Sequence, residues 1–447
     1  MIPDPPLWLA VEWTENCLKR ESRKEKGDFQ SVSKKERSPR SRDPHFASVT
    51  LLDMFGGFSR VKGPRPVRFI YNSDSNNMFI HKEPPMDPSD LVPFLDEIAQ
   101  TEITTLFVSP NLGMKMNYPS RVAEMLTPES TDKPISREGY PQLPPDILER
   151  GWEERLLKGR ESHRRVAMNL HSLLEAGHDP LKTVIELARE RGLEVFISFR
   201  LNEVHNVEQP DSPILSTFWR DYPEWHIGKP GDPLPELYTA IIGPRVNPIV
   251  PFWFPGALNF AIPEVRQRRL AELREVCERY QVDGLDLDFQ RFPIYFPFGS
   301  ETKHTATMTS WVREVRGVAE RVSEIRGRPL LLSARVMARP EQNKGLGLDP
   351  AAWAREGLVD FLTISHYLRN DYPLPVSEYR RILPPDLPVY GSIEYESDHD
   401  QYRMVAKRLW DDGIDGIMLF NFFAARESGS RPPFELLNEL GNPDNLT

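Results

Sequence analysis

Cysteine is almost missing from this chain. Cys17, in a charged stretch, and Cys277, inside a helical pattern, are the only two. Thiols so placed give no disulfide framework and cannot build a zinc cluster. No HxH or HExxH spacing occurs either, so no metal is expected. Long apolar runs are also lacking: none approaches the ~18 residues that a membrane-spanning helix needs. Basic charge is outnumbered, with 56 Lys and Arg against 66 Asp and Glu and a formal net charge of -10, which argues against a nucleic-acid partner. The start has no basic region followed by an apolar core and does not read as a secretory signal. A cytoplasmic location is therefore expected by default, or secretion if the start codon is mis-assigned.

Proline, by contrast, is plentiful. The 43 prolines are about twice the average share and fall between periodic segments, where they punctuate long loops. Residues 18–44 mix both charge signs with almost no apolar side chains, so 1–64 is expected to be a flexible arm. Strand and helix patterns then alternate. Strands are expected at 67–73, 104–109, 193–200, 282–289, 329–336, 359–366, 387–394 and 414–421, each short, apolar and rich in β-formers. Helical periods lie between them, as at 87–99 and 264–280. Asp87-Pro88, Asp179-Pro180 and Asp349-Pro350 place a carboxylate at the N-cap and proline at the first helical position, while Gly192 and Gly357 read as C-caps.

Eight such alternations predict an α/β fold of the (β/α)8 TIM-barrel type over 65–425, with a C-terminal tail at 426–447. A doubly wound open sheet is the rival, but it usually carries a Gly-rich phosphate loop after its first strand. Here that strand runs into Asn72-Ser73-Asp74-Ser75-Asn76-Asn77. Nothing in the chain calls for a cofactor. Insertions at 110–164 and 201–260 follow strands two and three, at the end where barrel enzymes build their sites.

Side chains alternate faces along a strand. In strand four, Leu285, Leu287 and Phe289 should pack on the helices, and Gly284, Asp286 and Asp288 should point into the barrel. The same parity sends Asn72 and Asp74, Ser198, Arg200 and Asn202, Ser333 and Arg335, Ser365 and Tyr367, Ser392 and Glu394, and Asn421 to one end of their strands. A barrel built only for stability would fill those places with branched apolar residues. One reading is a structural lattice in which Arg200 or Arg335 holds Asp286. The other is a glycosidase site, which needs two carboxyl groups flanking the scissile bond. Asp288 is then the acid/base, Glu394 the nucleophile or base, and Asp286 raises the pKa of Asp288 by like-charge repulsion. Glu396 is the substitute for Glu394. The two carboxyl groups should lie roughly 5–10 Å apart.

The run Asp283-Gly284-Leu285-Asp286-Leu287-Asp288-Phe289-Gln290 resembles the strand-four motif DGxDxDxE of family 18 chitinases. The family's proton donor is a Glu at the last position, where this chain has Gln290. That departure implies, as a second reading, a catalytically inactive chitinase-like barrel that only binds carbohydrate. Residues 282–293 are also similar to bacterial glycosyl-hydrolase-like barrels with DGxxxDxxRxP, on Asp283, Asp288, Arg291 and Pro293. Barrels of the related clan carry an acid/base after strand four and a nucleophile after strand seven. The resemblance implies a glycoside hydrolase acting on a poly- or oligosaccharide.

Around this pair, Trp225 and Trp253 are expected as sugar-stacking platforms among the loop aromatics. His205 and Arg291 are expected to contact substrate. Arg200, Arg291 and Arg335 could bind a uronate or sulfate, or could neutralise Asp286 and Asp288. A lyase or metal hydrolase using His205 and nearby carboxylates is a third reading.

Overall fold

The structure is a computed structural model. It describes residues 67–446 apart from 75, 133–142, 144–151, 245, 371–373, 395–397 and 429–430. The expected arm at 1–64, and Glu396, lie outside the described residues. All eight expected strands form: β1 (Phe69–Ser73), β2 (Thr105–Val108), β3 (Glu194–Arg200), β4 (Gly284–Asp288), β5 (Leu331–Met337), β6 (Phe361–Ser365), β7 (Val389–Ile393) and β8 (Ile417–Leu419). Each pairs in parallel with its sequence neighbours, and β8 pairs with β1, so the sheet closes into a barrel. Parallel strands need a crossover between them. Those crossovers include α1 (Val92–Ala99), α2 (Trp152–Glu175), α3 (Pro180–Glu190), α4 (Pro263–Arg279), α5 (Thr305–Arg326), α6 (Pro350–Arg355), α7 (Val376–Ile382) and α8 (His399–Asp411). The Asp-Pro starts work as read: the Asp179 and Asp349 carboxylates accept the backbone N–H of Lys182 and Ala352, at 3.1 and 2.9 Å.

The barrel interior divides into two halves. Ile70, Phe107, Phe196, Phe361, Tyr390, Met418 and Phe420 form an apolar cluster inside the strands, separate from the larger core between strands and helices. Gly284 is glycine for a steric reason: a Cβ there would sit 2.0 Å from the Phe196 ring. Below this cluster the Arg68 guanidinium lies 5.3 Å over Phe361 and donates to Glu194 at 2.6 and 2.9 Å. Asp283, at the same end, accepts from Val195 N and pairs with Arg189 and Arg328. It therefore anchors the N-terminal end of β4, away from the inward-facing acids.

Above the cluster the strand register sets two polar layers. Ser198, Asp286 and Ser333 stand side by side, and one step higher so do Arg200, Asp288 and Arg335. Leu285, Leu287 and Phe289 pack outward into the strand–helix core, as their parity requires. The connection after β3 contains helices at Thr217–Arg220, Glu236–Ile242 and Ile249–Trp253. Among the described residues, the non-glycine residues with positive φ are Asn206, Phe292, Leu368 and Asn421, at 62°, 65°, 49° and 56°. They follow the C-terminal ends of β3, β4, β6 and β8. Such backbone costs about 1–3 kcal/mol per residue and collects where function over-determines the structure.

Candidate active site at the barrel mouth

Asp288 closes β4 and points inward. Its Oδ1 accepts the backbone N–H of Gln290 at 2.9 Å and of Arg291 at 3.0 Å. Arg335 of β5 stands beside it in register, with Nη1 3.4 Å from each of the Asp288 oxygens. The other arm, Nη2, donates to Glu394 Oε1 at 2.6 Å. One guanidinium thus bridges a carboxylate after β4 and a carboxylate after β7, while lying 3.8 Å over the Phe420 ring. The rigid planar fork holds the two carboxyl groups on either side of one guanidinium. All three side chains are buried, at 1%, 1% and 3% exposure for Asp288, Arg335 and Glu394. Asn370 fixes the Glu394 backbone from both sides, accepting its N–H at 2.9 Å and donating to its carbonyl at 3.0 Å.

Burial pushes the Glu394 carboxyl up to about 7, against the pull of Arg335. Among the described residues its Oε2 has no hydrogen-bond partner. Asp286 is pushed up to about 7 by burial and then by Asp288, against Ser333, Ser198 and Arg335. Neither Arg200 nor Arg335 hydrogen-bonds it; the hydroxyls of Ser198 and Ser333 do, at 2.8 and 2.7 Å. The lattice reading of Asp286 thus gives way to a carboxyl held by two serines.

That geometry makes a prediction. Asp286 binds its proton more tightly folded than unfolded, so its stabilising contribution is complete below about pH 4 and is lost as the pH rises towards 7. An Asn can exchange the same bonds, because each serine hydroxyl can donate or accept. Asp286→Asn should therefore be more stable than wild type at pH 8, by on the order of 3 kcal/mol, with no gain at pH 4. Urea unfolding at the two pH values checks this, and a pH-independent difference would contradict it.

Gln290 is occupied. Its Nε2 donates to the carbonyls of Val336 and Ser365, at 2.6 and 2.5 Å, and its Oε1 accepts from Ser365 Oγ at 2.7 Å. The amide ties the tops of β5 and β6 to the loop after β4. A glutamate would bring a buried carboxylate against two carbonyl oxygens. Gln290→Glu should lose at least about 3 kcal/mol of stability. Thermal unfolding measures it; an unchanged melting temperature would show that the amide donors are dispensable.

A second group forms beside the first. Glu203 Oε1 accepts the backbone N–H of Val204 and His205 and contacts His205 Nδ1. Arg291 Nη2 reaches His205 Nε2 at 2.7 Å. Burial alone would raise the Glu203 carboxyl, but His205, Arg200 and Arg291 outweigh it and hold it well below the usual carboxylate range. Burial lowers His205, against the opposing pull of Glu203. Arg200 pairs loosely with Glu203 at 3.6 Å and Asp74 at 4.0 Å. Trp253 Nε1 donates to Glu208, and its ring meets His205 edge-on at 5.2 Å. Tyr367, buried, feels the charges of Arg291, Glu203, Arg335 and Glu394.

Other expected site residues do different things. Asn202 uses its whole amide to tie Leu258 and Ile294 together. Asp74 Oδ1 accepts the backbone N–H of Asn76 and Asn77. Trp225 stacks flat on Tyr222 at 3.8 Å, so one face is covered. Asn72 is buried at the end of β1, and Asn421 is half-buried after β8. Sequence reasoning passed over Glu203 and Asn370. Glu203 lies past the end of β3, where strand parity no longer applies; its spacing of two from His205 was the available signal.

Buried polar atoms with no hydrogen bond among the described residues collect here: Glu203 Oε2, Arg291 Nε, Arg335 Nε, Tyr367 Oη, Ser392 Oγ and Glu394 Oε2. Buried polar groups are normally paired, so the mouth has unused donors and acceptors for a bound molecule or water. Among the described residues no three His, Cys, Asp or Glu side chains come together as a metal-ligand set. No described helix is long and apolar enough to cross a membrane.

Solved structures resemble the barrel distantly. A noncanonic maltogenic alpha-amylase from Thermotoga neapolitana is 10% identical, with a TM-score of 0.39, over 79% of this chain and 66% of that one. A glycoside hydrolase family 18 N-acetylglucosaminidase from Paenibacillus barengoltzii is 11% identical, with a TM-score of 0.41, over 83% of this chain and 100% of that one. The chitinase ChiW from Paenibacillus sp. str. FPU-7 is 12% identical, with a TM-score of 0.42, over 83% of this chain and 42% of that one. The architecture itself rests on the closed strand order. No curated protein matches the chain. Residues 160–315, from within α2 through β3 and β4 into α5, match the family described as glycosyl hydrolase-like 10, which covers Arg200, Glu203, His205, Asp288 and Arg291.

Proposed function

We propose that this barrel hydrolyses a glycosidic bond in an oligo- or polysaccharide with two carboxyl groups, Asp288 and Glu394. The observation that carries the reading is their meeting, from strands three apart, on one buried guanidinium. Two carboxyl groups on one guanidinium are compatible with the roughly 5–10 Å spacing of glycosidase pairs. The match to a glycosyl-hydrolase-like family supports the same class.

The geometry favours exchanging the two expected roles. Glu394, with a carboxyl near neutrality and one oxygen unpartnered, is suited to carry the proton for the leaving oxygen. Asp288, oriented by two backbone N–H groups, is suited to attack the anomeric carbon or to activate water. Arg291, Tyr367 and Ser392 offer unused donors to sugar hydroxyls.

A second reading is a barrel that binds carbohydrate without cleaving it. It is favoured by Gln290, whose amide is engaged in tying the ends of β5 and β6 together. Release of reducing ends from a panel of oligosaccharides by the full chain, beside calorimetric binding, separates the two. Turnover supports the first; saturable binding without turnover supports the second. Neither binding nor turnover across the panel would sink both.

A further inference from the structure

Glu203 and His205 do not touch the carboxylate pair, yet they are tied to it through Arg291. Glu203 is 2% exposed and directs Oε1 at the His205 ring while holding the backbone N–H of Val204 and His205 at 3.1 and 3.2 Å. A carboxylate can only accept, so Nδ1 of the ring carries the proton. Nε2 then presents a lone pair, and it faces Arg291 Nη2 at 2.7 Å. The Arg291 backbone N–H is bound to Asp288 at 3.0 Å. Its Nε is buried with no hydrogen-bond partner among the described residues. The guanidinium lies 5.1 Å over Phe292, the residue held at φ 65°. Ring contacts from Trp253 and Phe292, at 5.2 and 4.9 Å, keep the imidazole edge-on.

We propose that Glu203 and His205 are positioning residues. Glu203 sets the imidazole tautomer, and the imidazole fixes the Arg291 guanidinium so that its free Nε–H faces the group bound beside Asp288 and Glu394. The inference rests on the saccharide-site reading above. Without Glu203 the ring can place a proton on Nε2. Two donors then face each other, and Arg291 turns away from the site.

The test uses the full chain and the oligosaccharide that wild type binds or cleaves best. Glu203→Ala and Arg291→Ala should each lower kcat/KM, or the association constant if there is no turnover, by about 10- to 100-fold, with KM carrying most of any kinetic loss. The double variant should be no worse than Arg291→Ala alone, because both changes remove the same contact. Glu203→Gln keeps an acceptor carbonyl and should retain most of the wild-type value, which guards against a folding defect in the alanine variant. Nitrogen-15 imidazole spectra give a readout that needs no substrate. They should show His205 with its proton on Nδ1 in wild type and in Glu203→Gln, and a mixture of tautomers in Glu203→Ala. Additive losses in the double variant, or an unchanged tautomer in Glu203→Ala, would overturn the relay. If wild type binds no saccharide, the functional reading fails, while the spectra still decide the relay.

Discussion

Glu394→Gln is expected to lower turnover by roughly 10²–10⁴-fold while leaving the fold intact. The amide keeps an oxygen for Arg335, which now meets Oε1 at 2.6 Å, and gives up only the proton. The same residue sets the pH dependence. Because its carboxyl is raised to about 7, the acid form dominates below that value, and activity should fall as the pH rises through it. A kcat/KM–pH profile that instead rises through neutrality would assign Glu394 the base role and return the acid role to Asp288. Turnover by Glu394→Gln equal to wild type would remove the two-carboxylate mechanism.

Arg335→Met should cost about 3–5 kcal/mol of stability, the largest loss expected from any single change in the site. The methionine fills similar space above Phe420, but it leaves Asp288 and Glu394 buried together with no shared cation. Removing one partner of a buried ion pair costs more than the pair contributes, because the remaining charge has lost both water and counter-ion. Above about pH 7, where the Glu394 carboxyl is ionised in wild type, adding Glu394→Gln to Arg335→Met should recover part of the loss, since no carboxylate at that position is left to be stranded or protonated. Urea denaturation of the two variants measures both effects. A loss below about 1 kcal/mol in the single variant would mean that the pair takes up protons freely and that the guanidinium does not govern it. Arg335→Lys is a milder test: a lysine keeps the charge but cannot span two carboxylates with a planar fork.

Much of the fold was legible because its signals are local. Each strand is a short run of β-formers between helical periods, and each Asp-Pro start carries its own N-cap. The parity argument worked for the same reason: alternate side chains of β4 must face opposite ways, so Asp286 and Asp288 were placed inside before any tertiary contact was known. β8 is the shortest strand of the barrel, Ile417–Leu419 against an expected 414–421. Gly413 has a φ of 85°, outside the strand region.

The candidate site was legible in its members more than in its partnerships. The sequence leaves Arg335 open as a partner for Asp286 or Asp288; two serines hold Asp286, and the guanidinium goes to Asp288 and Glu394. Gln290 read as a lost acid because of where it stands in the motif; its engagement with Val336 and Ser365 depends on how β5 and β6 end beside it. Trp225 read as a sugar platform, and one face is covered by Tyr222. Glu203 was passed over because its link to the acids runs through Arg291, which meets His205 only where the loop after β4 lies beside the loop after β3.

The sequence by itself determined the eight strands and the face on which each acid falls, because strand periodicity and helix capping act over a few residues. Only the tertiary structure decided which cation serves which acid, which carboxyl stays near neutrality and which amide is already engaged. Those outcomes depend on burial and on distances of a few ångströms between residues as far apart in the chain as Asp288 and Glu394, and no local pattern encodes them.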